Sequence, residues 1–270
     1  MGLHAHQIEP GLWSATALDP DVSYPVTGHR NLAAIEDESY WFRHRAEIVT
    51  GWLSRNPPNG CLFDVGGGNG FMVRAIRDAG YPAVLLEPGT DGCRVALSRG
   101  LAPVLNGTTR TLAVPSSSLP SVGLFDVIEH VANDREFLRH IFDLLVPGGR
   151  LYMLVPAHQG LWSTNDEVAG HFRRYSRREI VRELGEAGFE PVYSTYLFRA
   201  LVLPVLILRA LPFRVGIRES RATTTDAHLL PDGPIGRAIS KTFESESRKI
   251  NEERTLGTGT SVFIVSAKPG

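Results

Sequence analysis

Several stretches of this chain carry residue types at spacings that suit chemistry. Asp64-Val65-Gly66-Gly67-Gly68-Asn69-Gly70 sits between the apolar run Cys61 to Val65 and an amphipathic run. Glycines there permit positive φ and the close approach of a ligand to backbone. The first N–H groups of the next helix have no partner within it and can face a polar ligand. Asp64 makes this loop selective, because a carboxylate repels a pyrophosphate and attracts an ammonium. The dinucleotide spacing Gly-x-Gly-x-x-Gly fails, since position 71 is Phe71. Glu87 closes the next apolar run, where a carboxylate can accept both hydroxyls of a ribose lying over the loop. Further on, Leu124-Phe125-Asp126-Val127-Ile128-Glu129-His130-Val131 is a strand-like run ending in acids and a histidine. The long stretch Val155 to Tyr175 holds His158, Trp162, Asp166, Glu167, His171, Arg173, Arg174 and Tyr175. Histidine titrates near neutral pH and suits proton transfer, and paired arginines suit a carboxylate or phosphate.

These groups need elements to hold them. Tyr40, Trp41, Ile48, Val49 and Trp52 give Ala33 to Leu53 a helical period, stopped by Asn56-Pro57-Pro58-Asn59-Gly60. Strands are expected at Cys61–Val65, Ala83–Leu86, Leu101–Leu105, Ser121–Val127, Arg150–Val155, Phe189–Leu197 and Ser261–Ala267. Helices are expected at Gly70–Ala79, Gly89–Arg99, Asp134–Leu145 and Ser176–Ala187, the last opened by a Ser176/Glu179 capping box. Such alternation implies right-handed crossovers and a doubly wound, mostly parallel, seven-stranded Rossmann-like α/β sheet. Ligands of such sheets bind at the carboxyl ends of the strands, where the motifs above fall. The first 30 residues are rich in turn formers and are expected to be loop.

In sequence and order, the glycine loop, Glu87, the Leu124–Val131 run and Leu145-Val146-Pro147-Gly148-Gly149-Arg150-Leu151 resemble the motifs of class I S-adenosylmethionine (SAM) dependent methyltransferases. The resemblance spans about Tyr40 to Phe189. It implies SAM as cofactor, held by Asp64, Gly66, Gly67, Gly68, Gly70, Glu87, Phe125 and Asp126. Members of that family often carry an acid before the fourth strand for the adenine amino group. Thr108 to Ser116 contains none, so adenine contact falls to backbone groups or a hydroxyl. The Gly-His-x-Arg-Arg-Tyr block at Gly170–Tyr175 resembles one bacterial branch found near natural-product, glycan or lipid genes.

On that reading, a methyl group passes to an oxygen or nitrogen, less readily a carbon, of a small-molecule acceptor. Such a transfer needs alignment, exclusion of water and often a base. His171 and His130 are the candidate bases, with Tyr175 and Asp166 to orient them. Arg173 and Arg174 are candidate clamps for an acidic acceptor, and either could instead pair with Glu179 or Glu183. Tyr40, Trp41 and Trp162 are candidate walls of the acceptor pocket, the first two on an N-terminal lid helix. The competing functions are a dinucleotide-dependent oxidoreductase and a non-catalytic SAM-binding subunit.

A formal net charge of −1 gives no basis for nucleic-acid binding. Cys61 and Cys93 form no metal-type pair, and His158, Asp166, Glu167 and His171 lack ligand spacing, so no metal is expected. No signal peptide is visible, and a cytoplasmic protein is expected. Three parts are expected: a segment and lid at 1–58, a SAM-binding core at 59–198 with 256–270, and a helical insertion at 199–255. Within the insertion, Phe198 to Leu211 is too short, and too broken by Pro204, to cross a bilayer. It suits a core or subunit contact, as in a homodimer, an apolar pocket wall, or weak contact with a lipid interface. Leu229 to Arg254 is polar and suits a second, solvated helix.

Overall fold

A computed structural model describes residues 4–15, 33, 35–218 and 233–270. Its sheet contains β1 (Ala5–Glu9), β2 (Leu12–Ala15), β3 (Leu62–Val65), β4 (Ala83–Glu87), β5 (Val104–Asn106), β6 (Leu119–Phe125), β7 (Leu145–Pro156), β8 (Glu190–Leu197) and β9 (Ser261–Ala267). The spatial order is β1-β2-β5-β4-β3-β6-β7-β9-β8. Pairing is parallel from β2 through β7, and antiparallel for β1 on β2 and for β9 between β7 and β8. The strand order reverses beside β3, so the loops after β3 and β6 diverge and open a crevice.

Nine strands form where the sequence reading expected seven. The additional pair, β1 and β2, arises within the N-terminal stretch expected to be loop. Its hairpin turns at Gly11 (φ +84°), where a Cβ would come 2.7 Å from the Ala102 Cβ. The fixing contact is long-range: Leu12, Trp13 and Ser14 pair with Val104, Leu105 and Asn106. Of the segments placed by sequence, residues 16–32 and 219–232 lie outside the described residues, including the expected start of the second insertion helix at Leu229.

The helices are α1 (Tyr40–Arg55), α2 (Phe71–Asp78), α3 (Thr90–Ser98), α4 (Asp134–Leu144), α5 (Thr164–Ala169), α6 (Arg177–Glu186), α7 (Val202–Val205), α8 (Leu211–Arg214) and α9 (Pro234–Asn251). α1 starts seven residues later than its expected start at Ala33, because Ser39 caps it by accepting from the Phe42 N–H. Its inward face carries Ile48, Val49, Trp52 and Leu53. Trp52 stacks on Tyr193 at 4.4 Å between ring centres and meets the Phe263 edge, joining α1 to β8 and β9 by apolar burial. α6 has the expected box, with the Ser176 and Glu179 side chains each bonded to the other's backbone N–H.

One carboxylate joins three segments near the surface of this core. Glu246 on α9 is 3% exposed. It accepts from the backbone N–H of Phe198 (2.8 Å) and Arg199 (2.6 Å), and its Oε2 lies 3.2 Å from His44 Nε2 on α1. Burial alone would lower the His44 pKa, but Glu246 and Glu47 outweigh it and hold it above its ordinary value.

Candidate active site

The crevice is a cleft of about 460 Å³ at the carboxyl ends of β3, β4 and β6. β3 delivers Asp64 to its floor, wholly buried, with neither carboxylate oxygen hydrogen-bonded. The chain then turns through Gly66 (φ +74°), Gly67 and Gly68 (φ +57°). A Cβ on Gly67 would lie 2.3 Å from Asp64 Oδ2 and 2.7 Å from the Leu85 side chain. The loop can therefore pass over the carboxylate only without a side chain there. Gly70 plays a different part. It does not line the cleft, but caps α2 in a left-handed conformation (φ +74°), with Leu101 where a Cβ would go.

Glu87 ends β4 and faces the same loop. Its Oε2 accepts from the Gly68 N–H (2.9 Å) and its Oε1 from the Gly89 N–H (2.6 Å), so the carboxylate is held from both sides. Burial pushes Glu87 up to about 7, against the pull of those two amides. Burial and the nearby Glu87 push Asp64 up to about 8. A ligand cation would remove that penalty at Asp64. An unpartnered buried carboxylate below a Cβ-free loop fits the ammonium of SAM, and a fixed carboxylate at Glu87 fits a ribose diol.

The wall across from the glycines comes from β6 and the turn after it. Phe125, Asp126, Val127 and His130 line the cleft. Asp126 pairs with Arg45, which is 4% exposed and lies 3.9 Å over the Trp41 ring. Arg45 was not among the residues sequence reasoning chose. A signal was present, since Arg45 follows Trp41 by one helical turn and precedes the buried Ile48 and Val49. Glu36 and Asn69 were also missed. Asn69 donates to Glu36 (3.0 Å), and Arg99 pairs with Glu36 at 2.6 Å. Thr108 and Thr109 line the cleft where no acid was available.

A second cavity of about 330 Å³ adjoins this cleft, and both are lined by Trp41, Asp126, Asn165, His171 and Arg174. Tyr40, Glu129, Leu201, Pro204, Val205, Leu208 and Arg209 line only the second. The shared wall is organised by Asp166, buried in the first turn of α5. Asp166 Oδ2 accepts from the Ser163 N–H (2.9 Å), while Oδ1 accepts from Arg174 Nε (2.7 Å) and lies 2.9 Å from His171 Nδ1. Burial would raise this carboxyl, but His171 and Arg174 together hold it below its ordinary value. An ionised Asp166 only accepts, so His171 donates to it through Nδ1, which fixes the ring with Nε2 on the opposite side. The His130 ring meets His171 edge-on at 4.7 Å. Burial, then the charge of His171, lowers His130 to about 4, which leaves it neutral at physiological pH. Glu129 is wholly buried, both carboxylate oxygens lack hydrogen bonds, and burial with the Asp126 charge raises its pKa well above the ordinary value.

Besides Gly70, three expected site residues do not line either cavity. Tyr175 is 3% exposed and donates to Asp134 at 2.9 Å, with burial and Asp134 raising its pKa. Arg173 pairs with that same Asp134 at 2.5 Å and donates to the Ala132 carbonyl at 2.7 Å. Neither arginine meets Glu179 or Glu183; Arg174 alone faces the cavities. Trp162 follows the short turn Gln159–Leu161, outside both linings. Among the described residues, Glu129, His130 and His171 bring potential ligand atoms within 4.8 Å of one another. The sequence reading had considered a different quartet.

Comparison with known proteins places this geometry. The methyltransferase domain family matches residues 38–194. A relative in Mycolicibacterium smegmatis, named a probable SAM-dependent methyltransferase, is 29% identical over 64% of this chain and 69% of its own. A chain from the complex of the Haloferax volcanii Trm112 methyltransferase activator with its methyltransferase superposes with TM-score 0.58 at 18% identity, covering 91% of this chain and 98% of that one. Haemonchus contortus phosphoethanolamine N-methyltransferase 2, in complex with SAM, has TM-score 0.56 at 17% identity, covering 91% of this chain and 58% of that one. These two likenesses concern the fold. With the family match spanning more than half its length, this chain belongs to the methyltransferase domain family and takes SAM as its cofactor.

Proposed function

We propose that the protein transfers the methyl group of SAM to an oxygen or nitrogen of a small-molecule acceptor seated in the second cavity. The carrying observation is His171, which lies in the wall common to both cavities with Nδ1 bound to an ionised Asp166.

SAM supplies an electrophilic methyl group on a sulfonium. Asp64 and Glu87 would hold its ammonium and ribose, and Thr108 or Thr109 offers the hydroxyl for the adenine side. The remaining work belongs to the protein's own groups. His171 Nε2 accepts the proton that the acceptor O–H or N–H releases as it attacks. Asp166 steadies the imidazolium that forms and keeps the ring oriented. Arg174 holds Asp166 in place and adds positive charge beside the acceptor. Trp41, stacked on Arg45, roofs the junction of the two cavities and excludes water. His130, held neutral, gives His171 an uncharged neighbour.

The dinucleotide alternative meets an obstacle at Asp64, whose buried carboxylate stands where a pyrophosphate would need donors. The test is methyl transfer from radiolabelled SAM to small molecules extracted from the protein's own cells, with wild type and His171→Ala compared. Label transfer by the wild type that falls sharply in the variant, with SAM affinity retained, is the expected result. SAM binding with no labelled product in any fraction would point to a non-catalytic subunit.

A further inference from the structure

Residues 199–218 form a surface whose two sides differ. The segment runs through α7, a wider π-type turn at Leu206–Ala210, and α8. On the inner side Leu201, Pro204, Val205 and Arg209 line the second cavity, and Ala210 is fully buried. The outer side carries Leu203 (65% exposed), Ile207 (56%), Leu211 (44%), Val215 (74%) and Ile217 (61%), while Leu208 (67%) stands at the rim of the cavity that it also lines. Leu203, Ile207, Leu211 and Val215 fall at every fourth position and form one stripe. A single exposed leucine is ordinary, but a continuous stripe of this kind marks an interaction surface.

Charge narrows what covers it. Between Phe198 and Arg218 the sequence holds Arg199, Arg209, Arg214 and Arg218 and no acidic residue, within a chain of formal net charge −1. Apolar side chains flanked by arginines match the boundary between acyl chains and anionic headgroups of a bilayer. A second copy would bring the exposed Arg199 and Arg214 against their own copies in a two-fold interface, which opposes self-association there. Among the described residues no helix is long and apolar enough to cross a membrane, so the stripe would lie along the surface. It is also tied to the acceptor wall: Arg214 donates to the Gly160 carbonyl at 2.7 Å, and Arg218 pairs with Glu167 on α5.

We propose that residues 199–218 dock on an anionic membrane surface, and that the cavity on their inner side receives the polar head of a lipid-anchored acceptor. The second half rests on the methyl-transfer reading above; the docking does not.

Sedimentation of the full chain with vesicles tests it. Phosphatidylcholine vesicles containing about one-third phosphatidylglycerol are compared with pure phosphatidylcholine. The wild type is expected to pellet with the anionic vesicles and less with the neutral ones, and about 0.5 M salt should weaken the binding several-fold. The triple variant Leu203→Ser, Ile207→Ser, Val215→Ser should lower partitioning by at least about tenfold, while calorimetry shows unchanged SAM affinity. Wild type that stays in solution, or a variant that pellets equally, overturns the proposal. So does light scattering showing that the wild type is a dimer, the variant a monomer, and neither binds vesicles. Failure of the wild type to bind SAM would instead strike the methyl-transfer reading and leave vesicle binding to be judged alone.

Discussion

Asp64 and Asp166 are both buried carboxylates in the walls of one cleft, and they are treated in opposite ways. Asp64 receives no hydrogen bond, and burial with Glu87 raises its pKa to about 8. Asp166 is bonded by Ser163, His171 and Arg174, and its pKa lies below the ordinary value. An unsatisfied buried charge costs stability and so marks where a ligand must supply the missing partner. A satisfied one organises its neighbours before any ligand arrives. On the proposed function, the wall at Asp64 is completed by binding, and the wall at Asp166 is set for proton transfer before an acceptor arrives.

The sharpest way to break that contrast is to fill the space over Asp64. Gly67→Val places methyl groups where a Cβ already lies 2.3 Å from the carboxylate. SAM binding should fall by at least about 1,000-fold, to below detection by calorimetry, with the far-ultraviolet spectrum intact. On the other wall, His171→Ala should cut turnover by roughly 100- to 10,000-fold, the range for loss of a general base. SAM affinity should change little. A variant of unchanged turnover would assign the transfer to positioning alone.

Asp64→Asn probes the cost directly. The folded-state pKa is raised to about 8 from an ordinary 3.8. The folded protein thus keeps a proton that the unfolded chain loses, and wild-type stability declines as pH rises from about 4 to about 8. The variant has no such slope. Its melting temperature should gain on the wild type between pH 6 and pH 8, while SAM affinity drops about tenfold through the lost ammonium contact. Calorimetry in buffers of different ionisation enthalpy should also show that SAM binding to wild type releases protons near neutral pH. The smallest effect serves as the control for glycine chemistry. Gly185 lies within α6 with open space around it. Gly185→Ala should stabilise the fold by about 0.5–1 kcal/mol and leave SAM binding alone.

The two walls also differed in how far the sequence revealed them. Asp64, the loop glycines and Glu87 could be placed because backbone geometry and strand ends are local, repeating signals. The spacing names His171, Arg173, Arg174 and Tyr175 together, with Asp166 as an orienting group, and of these four the structure brings only His171 and Arg174 into the cavity walls beside Asp166. The common partner of Arg173 and Tyr175, Asp134, lies 41 residues before Tyr175, and only the fold shows that these two turn to it while His171 and Arg174 turn to Asp166. Arg45 was overlooked because a buried arginine inside an apolar helical face reads as an interruption until Asp126 is brought beside it. The β1–β2 hairpin escaped for a similar reason: its strands are short, and pairing with β5 fixes them across some 90 residues of chain.

Glu246 has a bearing on how this fold could be rebuilt. Its carboxylate receives hydrogen bonds from the Phe198 and Arg199 N–H groups and faces His44, whose sequence neighbour Arg45 grips Asp126 at the cleft. The segment before β9 is consequently not an exchangeable cassette. A graft from a relative that alters the α9 carboxylate without altering α1 would strand a buried imidazole next to the arginine that shapes the junction of the two cavities.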